Sequence, residues 1–240
     1  MPLSTHRSPA TTGTLPPVLL VHGFASNAAA DYVDTGWLAA LHAAGRTAVA
    51  IDLPGHGDSP SIESPEHATT SAVVAAILDA AEASFPEGKF DVIGYSLGGR
   101  LSWELPTASP RIRRLVLGGV SPFEPFAAIA PGEIETALAG GDSGNPLAQM
   151  LAGMISSPGR DTASLSRLIA GLASEPFQPE TGGPAVPTLL VAGDDDPLTG
   201  GIESLATAIP NGSLVRVPGD HRGALDSAEF RAAAIAFLTE

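Results

Sequence analysis

The sequence predicts an α/β fold: a mostly parallel, doubly wound sheet with helices on both faces and a small helical cap. Three observations predict it: apolar runs of strand length closed by turn residues, helical patterns between them, and one break in that alternation. The runs are near-continuous rather than alternating, as parallel strands covered on both faces require.

The first segment, MPLSTHRSPATTGTLPP, is broken by prolines and reads as an irregular lead-in or one edge strand. PVLLVHG (17–23) is the first clear strand, followed by a helical pattern in DTGWLAALHAAG (34–45). RTAVAIDLPG (46–55) is the second strand and SAVVAAILDAAEASF (71–85) the helix after it. KFDVIGYS (89–96), LGGRLSWEL (97–105) and RRLVLGGV (113–120) repeat strand, helix and strand. After the break come VPTLLVAGD (186–194), the helix GIESLATAI (201–209), GSLVRVPGD (212–220) and a closing helix SAEFRAAAIAFL (227–238). Strands alternating with helices describe an open doubly wound sheet.

The break spans residues 122–185, rich in Pro, Gly, Ala and Met, with helical patches near 133–140, 145–156 and 161–174. A structureless loop of that length inside a compact domain is unusual, so a helical cap over the carboxyl edge of the sheet is expected. The predicted division is a core of residues 1–121 and 186–240 with a cap of 122–185.

At 240 residues the chain is long enough for one sizeable domain with its own core. It has no cysteine, which excludes disulfides, thiolate nucleophiles and thiolate-held metals. A net charge of −14 with only 12 Lys and Arg argues against nucleic acid as a partner. No apolar run approaches a membrane span, and the first residues lack the basic start and apolar core of a signal peptide, so no membrane partner and a cytoplasmic location are expected. The pattern leaves the oligomeric state unspecified.

Chemistry enters at Gly94-Tyr95-Ser96-Leu97-Gly98, a G-x-S-x-G between a strand and a helix. A turn that sharp drives the serine toward strained dihedrals and leaves no room for side chains two residues to either side. It also presents Ser96 at the top of the sheet, where the helix start favours negative charge. A glycine-rich connection of no chemical meaning would look the same in isolation.

With LLVHGF at 19–24, DLPGHGDS at 52–59 and GYSLGG at 94–99 in this order, the chain resembles the α/β-hydrolase superfamily. The match is specific for the fold and uninformative about the substrate. The resemblance implies Ser96 as nucleophile and a base after the last strand, in the order serine, acid, histidine. His221, in VPGDHRG, stands there. His6, His42 and His67 read as surface residues, His22 as shaping the loop after its strand, and His56 as a turn residue with local hydrogen bonds. The acid is expected after TLLVAG, where Asp194, Asp195 and Asp196 follow in succession. Similar enzymes place it three residues past the glycine, which selects Asp196; Asp220 is a weaker rival.

The resemblance further implies an oxyanion hole from the backbone amides of Phe24 and Leu97, with no metal and no cofactor. Tyr95, Met150 and Met154 are candidates to meet substrate, while Ile155, Leu168, Phe126 and Phe177 either line the pocket or build the core of the cap. The expected activity is a carboxylesterase-type hydrolysis of small to medium acyl esters through an acyl-enzyme. Tyr95 and Arg100 also fit the menaquinone-pathway synthase that eliminates pyruvate, although the cap offers only Arg160 and Arg167 to an anionic substrate and Arg100 reads equally as a partly buried salt-bridging residue. The pattern is also compatible with a cofactor-free perhydrolase or haloperoxidase, and with a hydrolase relative that binds a ligand without turnover.

Overall fold

The apolar runs form six mutually parallel strands, and the lead-in supplies a seventh at the edge. The structure is a computed structural model that describes residues 2–9, 11 and 13–240. The strands are β1 (Thr5–Arg7), β2 (Val18–Val21), β3 (Ala48–Ile51), β4 (Phe90–Tyr95), β5 (Ile112–Gly118), β6 (Thr188–Gly193) and β7 (Gly212–Val217), in the spatial order β1-β3-β2-β4-β5-β6-β7. Only β1 is antiparallel, pairing with β3. His6 lies on it, half-buried, 3.8 Å from the Asp52 carboxylate.

Successive side chains of each strand point to opposite faces, and both faces are covered along β2, β3, β4 and β6, whereas the edge strands β1 and β7 are largely exposed. Leu19, Val21, Val49 and Ile51 pack into an apolar cluster with Val73 and Ile77 of α2 (Thr70–Ser84) and Leu101 of α3 (Leu97–Ala108). Val18, Leu20, Ala48 and Ala50 face the other way, against Trp37 of α1 (Trp37–Ala43) and Phe230 of the last helix. Burial on both sides is the reason the inner strands read as unbroken apolar runs; GSLVRV, at the edge, is instead mostly exposed.

The insertion between β5 and β6 holds α4 (Glu133–Leu138), α5 (Pro146–Ile155) and α6 (Thr162–Ser174). Ile134, Leu151, Ile155, Leu165 and Leu168 belong to the same apolar cluster as the α2 face of the sheet. α6 sits on the core most closely: a Cβ at Gly171 would lie 2.4 Å from the carbonyl oxygen of Ala68. The chain ends with α7 (Ile202–Ala208), the short α8 (His221–Asp226) and α9 (Ala228–Thr239). Among the described residues no helix is long and apolar enough to cross a membrane.

One topological feature positions the site. The chain runs β2 to β3 on one side, then returns to place β4 on the other side of β2. The loops leaving the carboxyl ends of β2 and β4 therefore diverge, opening a crevice where α/β sheets bind ligands.

Candidate active site

Ser96 follows β4 with φ +54° and ψ −118°; it and Ala25, on the loop after β2, are the only non-glycine residues with positive φ among those described. L-residues avoid this region, so something must hold them there. For Ser96 that is tight packing. A Cβ at Gly98 would stand 2.0 Å from the carbonyl oxygen of Val21, and one at Gly94 would stand 2.4 Å from that of Gly98. The Ser96 amide donates to the carbonyl of Gly118 at 2.8 Å, fastening the turn to β5.

His221 begins α8. Its Nδ1–H donates to Asp196 Oδ2 at 2.7 Å, and Asp196 Oδ1 accepts from the Leu198 amide at 2.9 Å, so both oxygens of this buried carboxylate are engaged. Because an ionised carboxylate only accepts, the pair places the imidazole proton on Nδ1 and leaves Nε2 basic. Asp194 and Asp195 are exposed. Asp220 instead caps the helix that carries His221, where its Oδ1 accepts from the amides of Arg222 and Gly223 at 3.1 and 2.8 Å. The Tyr95 hydroxyl donates to the carbonyl oxygen of His221, and burial holds its phenol well above the ordinary value, so it stays a neutral donor. Ser96 and His221 line one cavity, with no hydrogen bond between their side chains. Such bonds are often long before substrate is bound.

The loop Gly23–Ser26 stands across from Ser96, where a Cβ at Gly23 would lie 3.3 Å from the Ser96 Cβ. The amides of Phe24 and Leu97 find no acceptor among the described residues. Three buried side chains hold the loop. His22, fully buried, donates from Nδ1 to the Gly23 carbonyl at 2.7 Å and accepts the Leu53 amide on Nε2 at 2.9 Å. His56 accepts the Ala25 amide on Nε2 at 3.0 Å and donates from Nδ1 to the Pro54 carbonyl at 3.0 Å. Burial lowers the pKa of both rings, His56 to about 3, which keeps each neutral with one nitrogen free to accept. The contacts of His56 thus reach well beyond its own turn, because Ala25 is brought to it on the loop after β2.

The third holder is Asp31, 2% exposed on the π-helical turn Ala29–Val33. Its Oδ2 accepts from the Gly23 amide at 3.0 Å; its Oδ1 accepts from Ser26 Oγ at 2.5 Å and from Arg222 Nη1 at 2.7 Å. Neither Asp31 nor Arg222 is a candidate on sequence grounds. They stand 191 residues apart, and no local pattern marks either.

The cavity has a volume of about 420 Å³ and a mainly apolar wall. Phe24, Tyr95, Phe126, Phe177, Met150 and Met154 line it, and the two methionines are 50% and 38% exposed. Ile155 and Leu168 do not reach it and lie in the apolar core. Arg100 is buried, with Nε donating to Glu124 Oε2 at 2.7 Å and Nη2 to the carbonyls of Leu172 and Glu175. Among the described residues no three His, Asp or Glu side chains cluster as a metal site would require.

A family model for the alpha/beta hydrolase fold matches residues 16–134. Among solved structures, an enol-lactonase from Burkholderia xenovorans LB400 superposes with a TM-score of 0.76 at 20% identity, covering 99% of this chain and 96% of its own. A thermophilic esterase from Thermogutta terrifontis, with malate bound, does so at 0.76 and 21%, covering 99% and 93%. A candidate non-haem bromoperoxidase from Mycobacterium tuberculosis H37Rv gives 0.75 and 20%, covering 100% and 96%. No curated protein matches the sequence.

Proposed function

The chain is an α/β-hydrolase-fold protein, and we propose that it is a serine hydrolase of the carboxylesterase type, cleaving small to medium acyl esters through Ser96, His221 and Asp196. The observation that carries this is the conjunction of a strained Ser96 with the 2.7 Å pair of His221 and Asp196 on one apolar cavity.

Each step has a group to perform it. His221 Nε2 takes the hydroxyl proton as Ser96 Oγ attacks the ester carbonyl, and Asp196 stabilises the imidazolium that forms. The carbonyl oxygen becomes an oxyanion that receives the free amides of Phe24 and Leu97. A donor of this kind contributes about 3 kcal/mol of transition-state stabilisation. The imidazolium returns its proton to the departing alkoxide, and water, activated by the same ring, releases the acid from Ser96.

An apolar wall suits an acyl or alcohol chain of moderate length, whose burial contributes roughly 0.8 kcal/mol per methylene. The pairing of Arg100 with Glu124, and of Arg167 with the Ile62 carbonyl, leaves few free cations for a multiply anionic substrate and weighs against the elimination of pyruvate. The test is steady-state hydrolysis of 4-nitrophenyl butyrate together with labelling by a fluorophosphonate, located by peptide mass spectrometry. Turnover that disappears in Ser96→Ala, with the label on Ser96, supports the assignment. Undiminished turnover in that variant overturns it, and stoichiometric binding without turnover moves the protein to the receptor class.

A further inference from the structure

Arg160 is a cation without a counter-charge at the edge of the cavity. Twelve residues of the chain are Lys or Arg. Among the described residues every one except Lys89 and Arg160 directs its side chain to a carboxylate, a hydroxyl or a backbone carbonyl. Lys89 lies at the start of β4, at the opposite end of that strand from Ser96. Arg160 lines the cavity. Arg160 is exposed, and in a chain of net charge −14, where partners for an arginine are plentiful, its guanidinium is left for solvent or ligand at the mouth of the cavity.

The neighbouring groups do not neutralise it. Asp161 is adjacent in sequence, but its carboxylate accepts from Ser61 Oγ at 2.7 Å, Ser164 Oγ at 2.6 Å and the Ser164 amide at 3.0 Å. His56, close enough for Arg160 to depress its basicity further, is neutral. The other charged residues on the cavity wall are already paired: Asp31 with Arg222 and Arg100 with Glu124. The backbone beneath Arg160 is anchored, since its amide donates to the Ser157 carbonyl and Asp161 caps α6 and ties the turn to Ser61 of the core. Only the side chain is left unengaged.

We propose that Arg160 receives an anionic group of the substrate, so that the natural ester is an otherwise apolar molecule carrying one carboxylate or equivalent oxyanion. The apolar part has its own surface: Phe123, Met150, Met154 and Leu198, four of the most exposed large apolar side chains, all line this cavity. A planar guanidinium binds carboxylate bidentately, and Arg160, itself exposed, offers that fork at the rim of a mainly apolar cavity. The substrate class rests on the serine-hydrolase assignment for the bond that is cleaved, but the recognition of charge does not.

The experiment compares matched esters. One pair carries the charge on the acyl side, mono-4-nitrophenyl glutarate against its methyl ester; the other carries it on the leaving group, 4-carboxyphenyl butyrate against its methyl ester. In at least one pair the ratio of kcat/KM, anionic over neutral, is expected to fall by about twofold to fivefold in Arg160→Gln and further in Arg160→Glu, as expected for a solvent-exposed ion pair. Raising NaCl from 0.05 to 0.5 M is expected to lower that ratio in the wild type and leave it flat in the variant. Ratios unchanged in both pairs overturn the proposal. A second arm keeps the two assignments separable: calorimetric binding of N-butylglutaramate and its methyl ester to the Ser96→Ala protein and to the Ser96→Ala, Arg160→Gln double variant, neither of which needs turnover. Tighter binding of the acid that is lost with Arg160 supports the proposal even if no ester is hydrolysed. Equal affinity of acid and ester, or no binding of either, refutes it even if esters are.

Discussion

Asp31 and Arg222 form a 2.7 Å ion pair that bridges the two halves of the site. Asp31 also holds the Gly23 amide, one residue before the proposed oxyanion donor Phe24, and Arg222 follows His221 on α8 and donates to the Ala30 carbonyl at 2.8 Å. The pair therefore ties the loop that carries the proposed oxyanion donor to the helix that carries the proposed base.

Replacing Arg222 with Ala leaves a buried carboxylate without its cation and frees α8 from the loop. The expected result is a drop of about tenfold in kcat for a 4-nitrophenyl ester with little change in KM, because donors misplaced by fractions of an ångström fail chiefly in the transition state. Arg222→Lys is expected to recover part of the loss. A rise in KM with kcat unchanged would assign Arg222 to binding instead.

The acid of the proposed triad is read by comparing three neighbours. Asp196→Asn replaces the acceptor for His221 Nδ1–H and favours the wrong tautomer, so kcat is expected to fall by about 10⁴. Asp194→Asn and Asp195→Asn alter exposed side chains and are expected to stay within about threefold of the wild type. The largest loss at Asp194 would place the acid elsewhere on the loop.

Stability is expected to decline on mild acidification because of His22 and His56. Their pKa values are lowered in the folded chain, His56 to about 3, while the unfolded chain titrates near the ordinary 6.5. Below about pH 6.5 the unfolded state binds protons that the folded state refuses, so stability is present above that pH and is lost as pH falls toward 3. His56 contributes a slope of up to about 1.4 kcal/mol per pH unit within that window, and His22 acts in the same direction. Urea midpoints at pH 7, 6, 5 and 4 measure it, and His56→Gln, whose amide oxygen can still accept the Ala25 amide, is expected to flatten the slope. An unchanged slope would mean that His56 titrates normally.

Chain-length preference is expected to depend on α5. Met154 lines the cavity from that helix, and Met154→Ala widens the wall without touching β4 or α8. The ranking of 4-nitrophenyl esters from acetate to decanoate is expected to shift toward longer chains, with a much smaller effect on inactivation by a methylphosphonate. Identical rankings would locate selectivity around Phe24 and Tyr95.

Features that depend on neighbours along the chain were legible before any fold was known. Apolar runs such as LLV at 19–21 mark strands covered on both faces, and the glycines at 94 and 98 mark a turn that admits no side chain beside Ser96. The helical content of 133–174 was legible for the same reason, whereas the roles expected of Ser96, the aspartates and His221 came from the resemblance to the α/β-hydrolases. The tertiary structure decided whatever depends on residues brought together from a distance. It chose β1 as an edge strand by pairing it with β3, turned Asp220 into a helix cap, and directed His221 to Asp196 among three aspartates. It merged α6 with the core through the contact of Gly171 with Ala68, joined Asp31 to Arg222, and left Arg160 free on the cavity. Strand and turn preferences arise from sterics and burial within a few residues, whereas a hydrogen-bond partner is set by how whole layers pack, and no short stretch of sequence encodes that.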